Sequence, residues 1–337
     1  MERTTWDGGN ATATGVADPW AHHPTFLHKN ASGVAMRKKI FGEGAERMVR
    51  RFREFDVRLN FVGPWMVAKE SRYVEEIGRD LRDDRLFHQT FCKAQQQAER
   101  IAREFNFRLA MIPGAGPSTP RIHFLDCHVY VLDIEAMGKV GVLVEKMLDV
   151  ERYKKWNTNN GGVALLDGVK DLGLGAILEE DEADEDNGEG DAGETCSYEE
   201  DVAKAGSASK SRADASRAVE HAPISFTTAD IPQAFSCFSY HFSGQKCLVC
   251  DLQGVLDMHS SPPCFELTDP VLHYRSKSGR RAVFGRTDRG PKGITNFFKT
   301  HQCNELCYAL MKEWINPNVG LSDTPEQKGH KRKMQCC

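Results

Sequence analysis

Residues 231–257, IPQAFSCFSYHFSGQKCLVCDLQGVLD, decide how the chain is read. Apolar residues crowd two short runs, PQAFSCFSYHF and KCLVCDLQGVL, and alternate within each, so both are predicted strands. Ser243 and Gly244 supply the turn that joins them. Asp251 follows the apolar run CLVC and stands just before LQG. A carboxylate ending a buried strand suits a metal-ligand role, and a cap for the following turn is the plainer alternative.

Toward the N-terminus, PWMVAKES (64–71) is a predicted buried strand with Lys69 near its end. A lysine so placed reaches nucleotide phosphates in ordinary protein kinases. It also fits a surface position with its ammonium in water. From Asp84 to Asn106, Leu86, Phe87, Phe91, Ala94, Ala98, Ile101, Ala102 and Phe105 recur at steps of three and four, without Pro or Gly, which predicts a helix. Two strand-like runs follow, RIHFLDCHVYVLD and KVGVLVEKML, separated by a turn near Gly138.

Toward the C-terminus, LTDP carries Asp269 ahead of Pro270, either a site carboxylate or a turn residue. The stretch FGRTDRGPKG has glycines suited to exposing backbone amides to an anion, but it does not fit GxGxxG. GITNFFKTHQCNELCYALMKEW is predicted as one closing amphipathic helix. On it Cys303 and Cys307, four apart, share a face, and His301 lies two residues earlier. Three such ligands make most of a structural zinc site, with the fourth from Cys237 on the SCFSY segment, or from His241 on the same predicted strand. Two small buried hydrophobes would also explain the cysteine pair.

At 337 residues, 40% hydrophobic and 27% charged, the chain has the composition of a soluble globular protein. A formal charge of -4 gives no ground for a nucleic-acid partner. No apolar run approaches the roughly 18 residues of a membrane span, and the N-terminus lacks a signal-peptide core. A cytoplasmic setting is therefore expected, in which the eleven cysteines serve as thiols and metal ligands. Residues 1–30 read as a flexible leader. Residues 179–222 read as a disordered insert, acidic and then Ser/Ala-rich, whose closure entropy grows only slowly with length. Residues 316–337 form a polar tail ending KRKMQCC. Basic residues before Cys336 and Cys337 suit membrane contact through lipidated cysteines, and a solvated tail is the preferred reading.

The segments VAMRKKIFG, MVAKES, VEKMLDVERYKKWNTNNGGV, IPQAFSCFSYHFSGQKCLVCDLQGVLD, LTDPVLH and GITNFFKTHQCNELC resemble, in order, the alpha-kinase family of atypical protein kinases. The resemblance runs from about Val34 to Trp314. It implies an α+β, two-lobed kinase fold, with an N-lobe at 31–145, a C-lobe at 146–315 and ATP between them. It implies transfer of the γ-phosphate of Mg-ATP to serine or threonine of a protein substrate. Lys69 and Arg37 would hold the phosphates, and Glu145 to Met147 would line the adenine pocket. Asp251 and Gln253 would hold Mg2+, Asp269 would orient or deprotonate the substrate hydroxyl, and Cys237, His301, Cys303 and Cys307 would hold a structural Zn2+.

Three features depart from the family pattern: Cys237 where histidine is usual, GRTDRG where the glycine loop is closer to GxGNLG, and a longer loop between Gly254 and Leu267. The altered loop leaves a rival reading, a catalytically weak nucleotide-binding scaffold with the same fold. The joint presence of Lys69, Asp251, Gln253 and Asp269 favours the active kinase.

Overall fold

The structure is a computed structural model that describes residues 26–44, 47–71, 81–134, 138–162 and 224–315. These belong to one of two compact units, and the second, Gly175–Ala222, lies outside the described residues. The insert, the tail and most of the leader also lie outside them.

Strands β1 (Gly33–Glu43), β2 (Arg47–Phe55), β3 (Phe61–Ser71), β5 (Cys127–Ile134) and β6 (Gly138–Lys146) form an antiparallel sheet in the order β1-β2-β3-β6-β5. One face is apolar because alternate residues share a face: Phe52, Met66, Ala68, Leu132, Val142 and Val144 pack together there. Buried Glu54 accepts hydrogen bonds from the Tyr130 hydroxyl at 2.7 Å and from the Leu27 and His28 amides. Those bonds satisfy a carboxylate that burial would otherwise leave costly.

A second sheet has the order β4-β10-β9-β7, from Arg121–Phe124, Cys264–Thr268, Gln253–Asp257 and Lys154–Lys155. A two-stranded ribbon pairs β8 (Cys247–Cys250) with β11 (Val271–Tyr274). The run RIHFLDCHVYVLD is thus not one strand. Its first part, β4, pairs parallel with β10, and its second, β5, pairs with β6 in the other sheet. The interval 31–145 therefore contributes to both sheets.

The helix read at 84–106 lies inside α1 (Leu81–Leu109). Ala94, Ala98, Ile101, Ala102, Phe105 and Leu109 form its buried stripe, and Phe105 meets Phe235 and Phe238 edge-on at 5.4 Å. Phe235 and Phe238 belong to α2 (Asp230–Phe242), so the segment read as a strand at 231–242 is a helix. Ten consecutive residues, Ile231 to Tyr240, are buried, and a helix buried on every side loses the polar face that reveals its period. Pro232 is tolerated because the first-turn amides have no intrahelical partner. The closing segment is likewise not one helix but two, α3 (Gly290–Thr300) and α4 (Glu305–Ile315). His301 is extended, and Asn304 starts α4 by accepting the Cys307 amide at 2.9 Å, an N-cap bond that opposes helix continuation. Among the described residues, no helix is long and apolar enough to cross a membrane.

Candidate functional site

Two short crossovers build the centre of the site. β8 leads through Asp251 and Leu252 into β9, and β10 leads through Asp269 and Pro270 into β11. Because β8 pairs with β11 and β9 with β10, the two crossovers lie against each other: Cys250 faces Val271 and Gln253 faces Thr268. Both aspartates are left-handed, with φ 56° at Asp251 and 50° at Asp269. Non-glycine residues enter that region at some cost, and such strain concentrates at functional positions. The glycine of DLQG has a steric cause: a Cβ on Gly254 would lie 2.0 Å from the Glu266 carbonyl.

The first sheet brings Lys69 to these crossovers. Its Nζ lies 2.5 Å from Glu145, 2.6 Å from Asp269 and 3.0 Å from the Thr268 hydroxyl, which donates to Glu145. Lys69 and Glu145 are almost wholly buried, and breaking such a pair costs about 3–5 kcal/mol. Arg47 opens β2 and donates to the other oxygen of Asp269 at 2.7 Å. Burial raises the Asp269 pKa, but Arg47 and then Lys69 outweigh it and hold the carboxyl below its ordinary value.

Asp251 has a different cation. Lys155, on β7 opposite Gln253, places Nζ 2.6 Å from the Asp251 carboxylate. The segment KKWNTNNGG is fastened to do this. Trp156 N donates to Leu252 O at 2.7 Å, and the buried Asn157 side chain accepts the Leu252 amide while donating to Ser236 on α2. Tyr153 is part of the same neighbourhood. Its ring remains partly exposed, yet desolvation of the phenol, then the charges of Asp269, Glu145 and Asp251, raise its pKa.

The structure therefore brings together Lys69, Glu145, Asp251, Gln253 and Asp269. Gln253 Nε2 lies 3.4 Å from the Asp269 carbonyl, within reach of a weak bond. Met147 stands where the chain leaves the first sheet, its amide donating to Trp65 O at 3.0 Å. Arg37 is exposed on β1 and has no described bond to this cluster. Sequence reasoning missed Arg47, Lys155 and Tyr153. Lys155 had a signal in its place within YKKWNTNN, whereas Arg47 is one of several basic residues in RMVRRFREF.

The second cluster joins Cys237 of α2, His301 and Cys303 of the α3–α4 connection, and Cys307 of α4, with ligand atoms all within 4.8 Å. His241 is not in it, so Cys237 is the fourth member. Cys237 Sγ lies 3.7 Å from Cys303 Sγ and 2.9 Å from His301 Nε2. Thiolates held at about 2.3 Å from a tetrahedral zinc stand about 3.8 Å apart, so the sulfur spacing fits that ion. Cys307 is driven down to about 6 by its bond to Cys237, against burial, with His301 and the Asn304 amide assisting. His301 Nδ1 is buried without a described partner, while the ring stacks on Phe297 at 5.0 Å.

Fold and site define an α+β chain in which a buried lysine and two strand-crossover aspartates converge, with a Cys3His cluster tying the helices behind them. The sequence profile of the alpha-kinase family matches residues 42–183 and 196–307, and the chain belongs to that family. It is 27% identical over 290 residues to alpha-protein kinase 1 of Dictyostelium discoideum, covering 86% of this chain and 15% of that one. It is 35% identical over 79 residues to eukaryotic elongation factor 2 kinase of Homo sapiens, covering 23% of this chain and 9% of the relative. The chain thus spans a small part of these relatives' length. A catalytic-domain mutant of myosin heavy chain kinase A superposes with a TM-score of 0.50 at 19% identity, covering 82% of this chain and 88% of that one. That likeness supports the fold.

Proposed function

We propose that the chain is a protein kinase that transfers the γ-phosphate of Mg-ATP to serine or threonine of a protein substrate, acting in the cytoplasm. The observation that carries this reading is the convergence of Lys69 and Asp269 from two sheets beside the Asp251–Lys155 pair, in a chain of the alpha-kinase family. Phosphoryl transfer asks for charge neutralisation and in-line positioning more than for covalent help. Lys69 supplies a buried positive charge for the phosphates, with Glu145 fixing its direction. The backbone from Glu145 to Met147, where the chain leaves the first sheet, is suited to adenine, and Arg37 joins the phosphates only if β1 moves toward them.

The roles implied for the two aspartates are better exchanged. Asp269 is held ionised by two cations and bonded to the lysine expected at the phosphates, which suits the metal side, with Gln253 beside it. Mg2+ bound there would neutralise phosphate charge. Asp251 pairs with Lys155, an arrangement suited to orienting the acceptor hydroxyl and taking its proton as the oxygen attacks phosphorus and ADP departs. Lys155 would then stabilise the charge that develops. Zn2+ on Cys237, His301, Cys303 and Cys307 would be structural, since all four positions are protein ligands.

The test is transfer of labelled γ-phosphate to a basic protein by wild type, Asp251→Asn and Asp269→Asn. Asp251→Asn is expected to keep Mg-ATP binding and lose transfer by about 100- to 10,000-fold, the range of general acid–base catalysis. Asp269→Asn is expected to weaken the response to Mg2+. A folded, zinc-loaded wild type that transfers nothing to any protein would overturn the kinase reading, and nucleotide binding by that same sample would leave a scaffold.

A further inference from the structure

Arg47 is a buried guanidinium to which the roles above give only its pairing with Asp269. Only 6% of it is exposed, its Nη1 bonds Asp269, and its Nη2 is buried with no hydrogen-bond partner among the described residues. A buried donor left unmade at a charged group is costly, and such orphans mark places where a ligand completes the bonding. The guanidinium also stacks on Phe91 of α1, 3.2 Å from the ring centroid, which holds its plane while leaving its edge for hydrogen bonds.

Strand geometry puts this edge beside Lys69. In the β2–β3 pairing Arg47 faces Ser71 and Val49 faces Lys69, so all four side chains project from one face of the sheet. The two cations grip the two oxygens of one carboxylate, Asp269, at 2.7 and 2.6 Å. Together with Glu145 the group has two positive and two negative charges and is balanced. A phosphate entering this fork in place of the Asp269 carboxylate would keep both cations paired with an anion.

We propose that Arg47 is a second phosphate-binding residue of the nucleotide site, with the Asp269 carboxylate occupying its fork when no nucleotide is bound. This rests on the nucleotide-binding reading above and adds a contact to it: Nη1 and Nη2 form a planar fork that matches two phosphate oxygens, whereas Lys69 contributes a point charge. His88 is the other titratable ring beside this guanidinium, and its pKa is lowered by burial and then by the Arg47 charge, so it stays neutral and does not compete for phosphate.

The experiment compares adenosine, ADP and ATP binding by calorimetry to the full reduced chain, as wild type, Arg47→Met and Arg47→Lys, each without added Mg2+ and with it. Arg47→Met is expected to weaken ADP and ATP by roughly 10- to 100-fold without added Mg2+, the range of a charge-assisted contact, while adenosine binding is unchanged. Arg47→Lys should recover part of the loss, because the charge remains and the fork does not. Unchanged ADP and ATP affinity without added Mg2+, with a defect confined to Mg2+, would overturn the proposal and make Arg47 a positioning residue for Asp269. An equal loss for adenosine would overturn it in favour of a packing role. A wild type that binds neither adenosine nor ADP would instead sink the nucleotide reading itself.

Discussion

At the scale of single residues, the site stores charge in places where charge is expensive, and His88 is where that cost is most readily measured. Its Nε2 bonds the Gly141 carbonyl at 2.9 Å. Burial, with the nearby Arg47 charge, drives its pKa down from 6.5 to about 3, against the opposing effect of that bond. The sign follows directly. Between about pH 6.5 and 3 the unfolded chain binds a proton that the folded chain refuses, so stability rises with pH in that window and is lost as pH falls. The slope approaches about 1.4 kcal/mol per pH unit for one group. His88→Gln retains a donor for Gly141 and cannot titrate, so its melting temperature should vary less between pH 7 and 4.5 than that of wild type. Parallel curves for the two proteins would show that His88 is not the group responsible. Asp269 adds its own acid limit lower down, since a carboxylate with a depressed pKa stabilises fully above the unfolded value near 4 and loses that stabilisation as pH falls on through its lower folded value.

At the scale of elements, the Cys3His cluster does for α2, α3 and α4 what their own ends do not. α3 stops at an extended His301, and only three residues separate that cap from α4. In reduced protein, one zinc per chain is expected. Cys237→Ser should release that metal and lower the melting temperature, and a chelator should do the same to wild type but add little to the variant. Reduced wild type that is metal-free and equally stable would rule the zinc out. This region also marks what the sequence reveals and what it hides. The His301, Cys303, Cys307 spacing is legible because ligand chemistry restricts residue type, yet the single helix inferred there is broken by an Asn304 cap hidden inside HQCNELC. Helix α1 is legible because its exposed face makes the 3.6-residue period visible. Helix α2 is not, because its neighbours bury it almost completely and leave apolar content without period. Asp251 and Asp269 stand out through their motifs, but their joint placement depends on a β8/β11 ribbon and a β9/β10 pairing that no local pattern specifies. Arg47 is invisible for the same reason: its partner is 222 residues away.

At the scale of the whole molecule, the site exists only where one sheet is held against the other, so the packing between them is part of the chemistry. Polar contacts across that junction include Lys69 and Arg47 on Asp269, Thr268 on Glu145 and, on its exposed side, Lys146 on Glu266. Apolar continuity comes from α1, which touches both sheets. Cys92 packs with Cys127 and Leu143 of the first sheet, while Phe105 lies in the large core with Ile122, Phe124 and Phe265 of the second. A helix shared in this way couples the unfolding of the two sheets, because Cys127 and Leu143 of the first and the large core of the second both lose cover once α1 leaves. Phe105 is fully buried between two rings of α2, so Phe105→Ala should cost about 3–5 kcal/mol. For a domain of this size, about 2–4 °C per kcal/mol places the melting temperature roughly 10 °C lower. The informative result is the shape of the transition. If α1 couples the sheets, calorimetry shows one transition that moves as a unit, with nucleotide affinity unchanged at temperatures well below it. Two separated transitions in the variant, with the first sheet melting at its wild-type temperature, would show that the sheets are independent and that the ion pairs alone hold the site together.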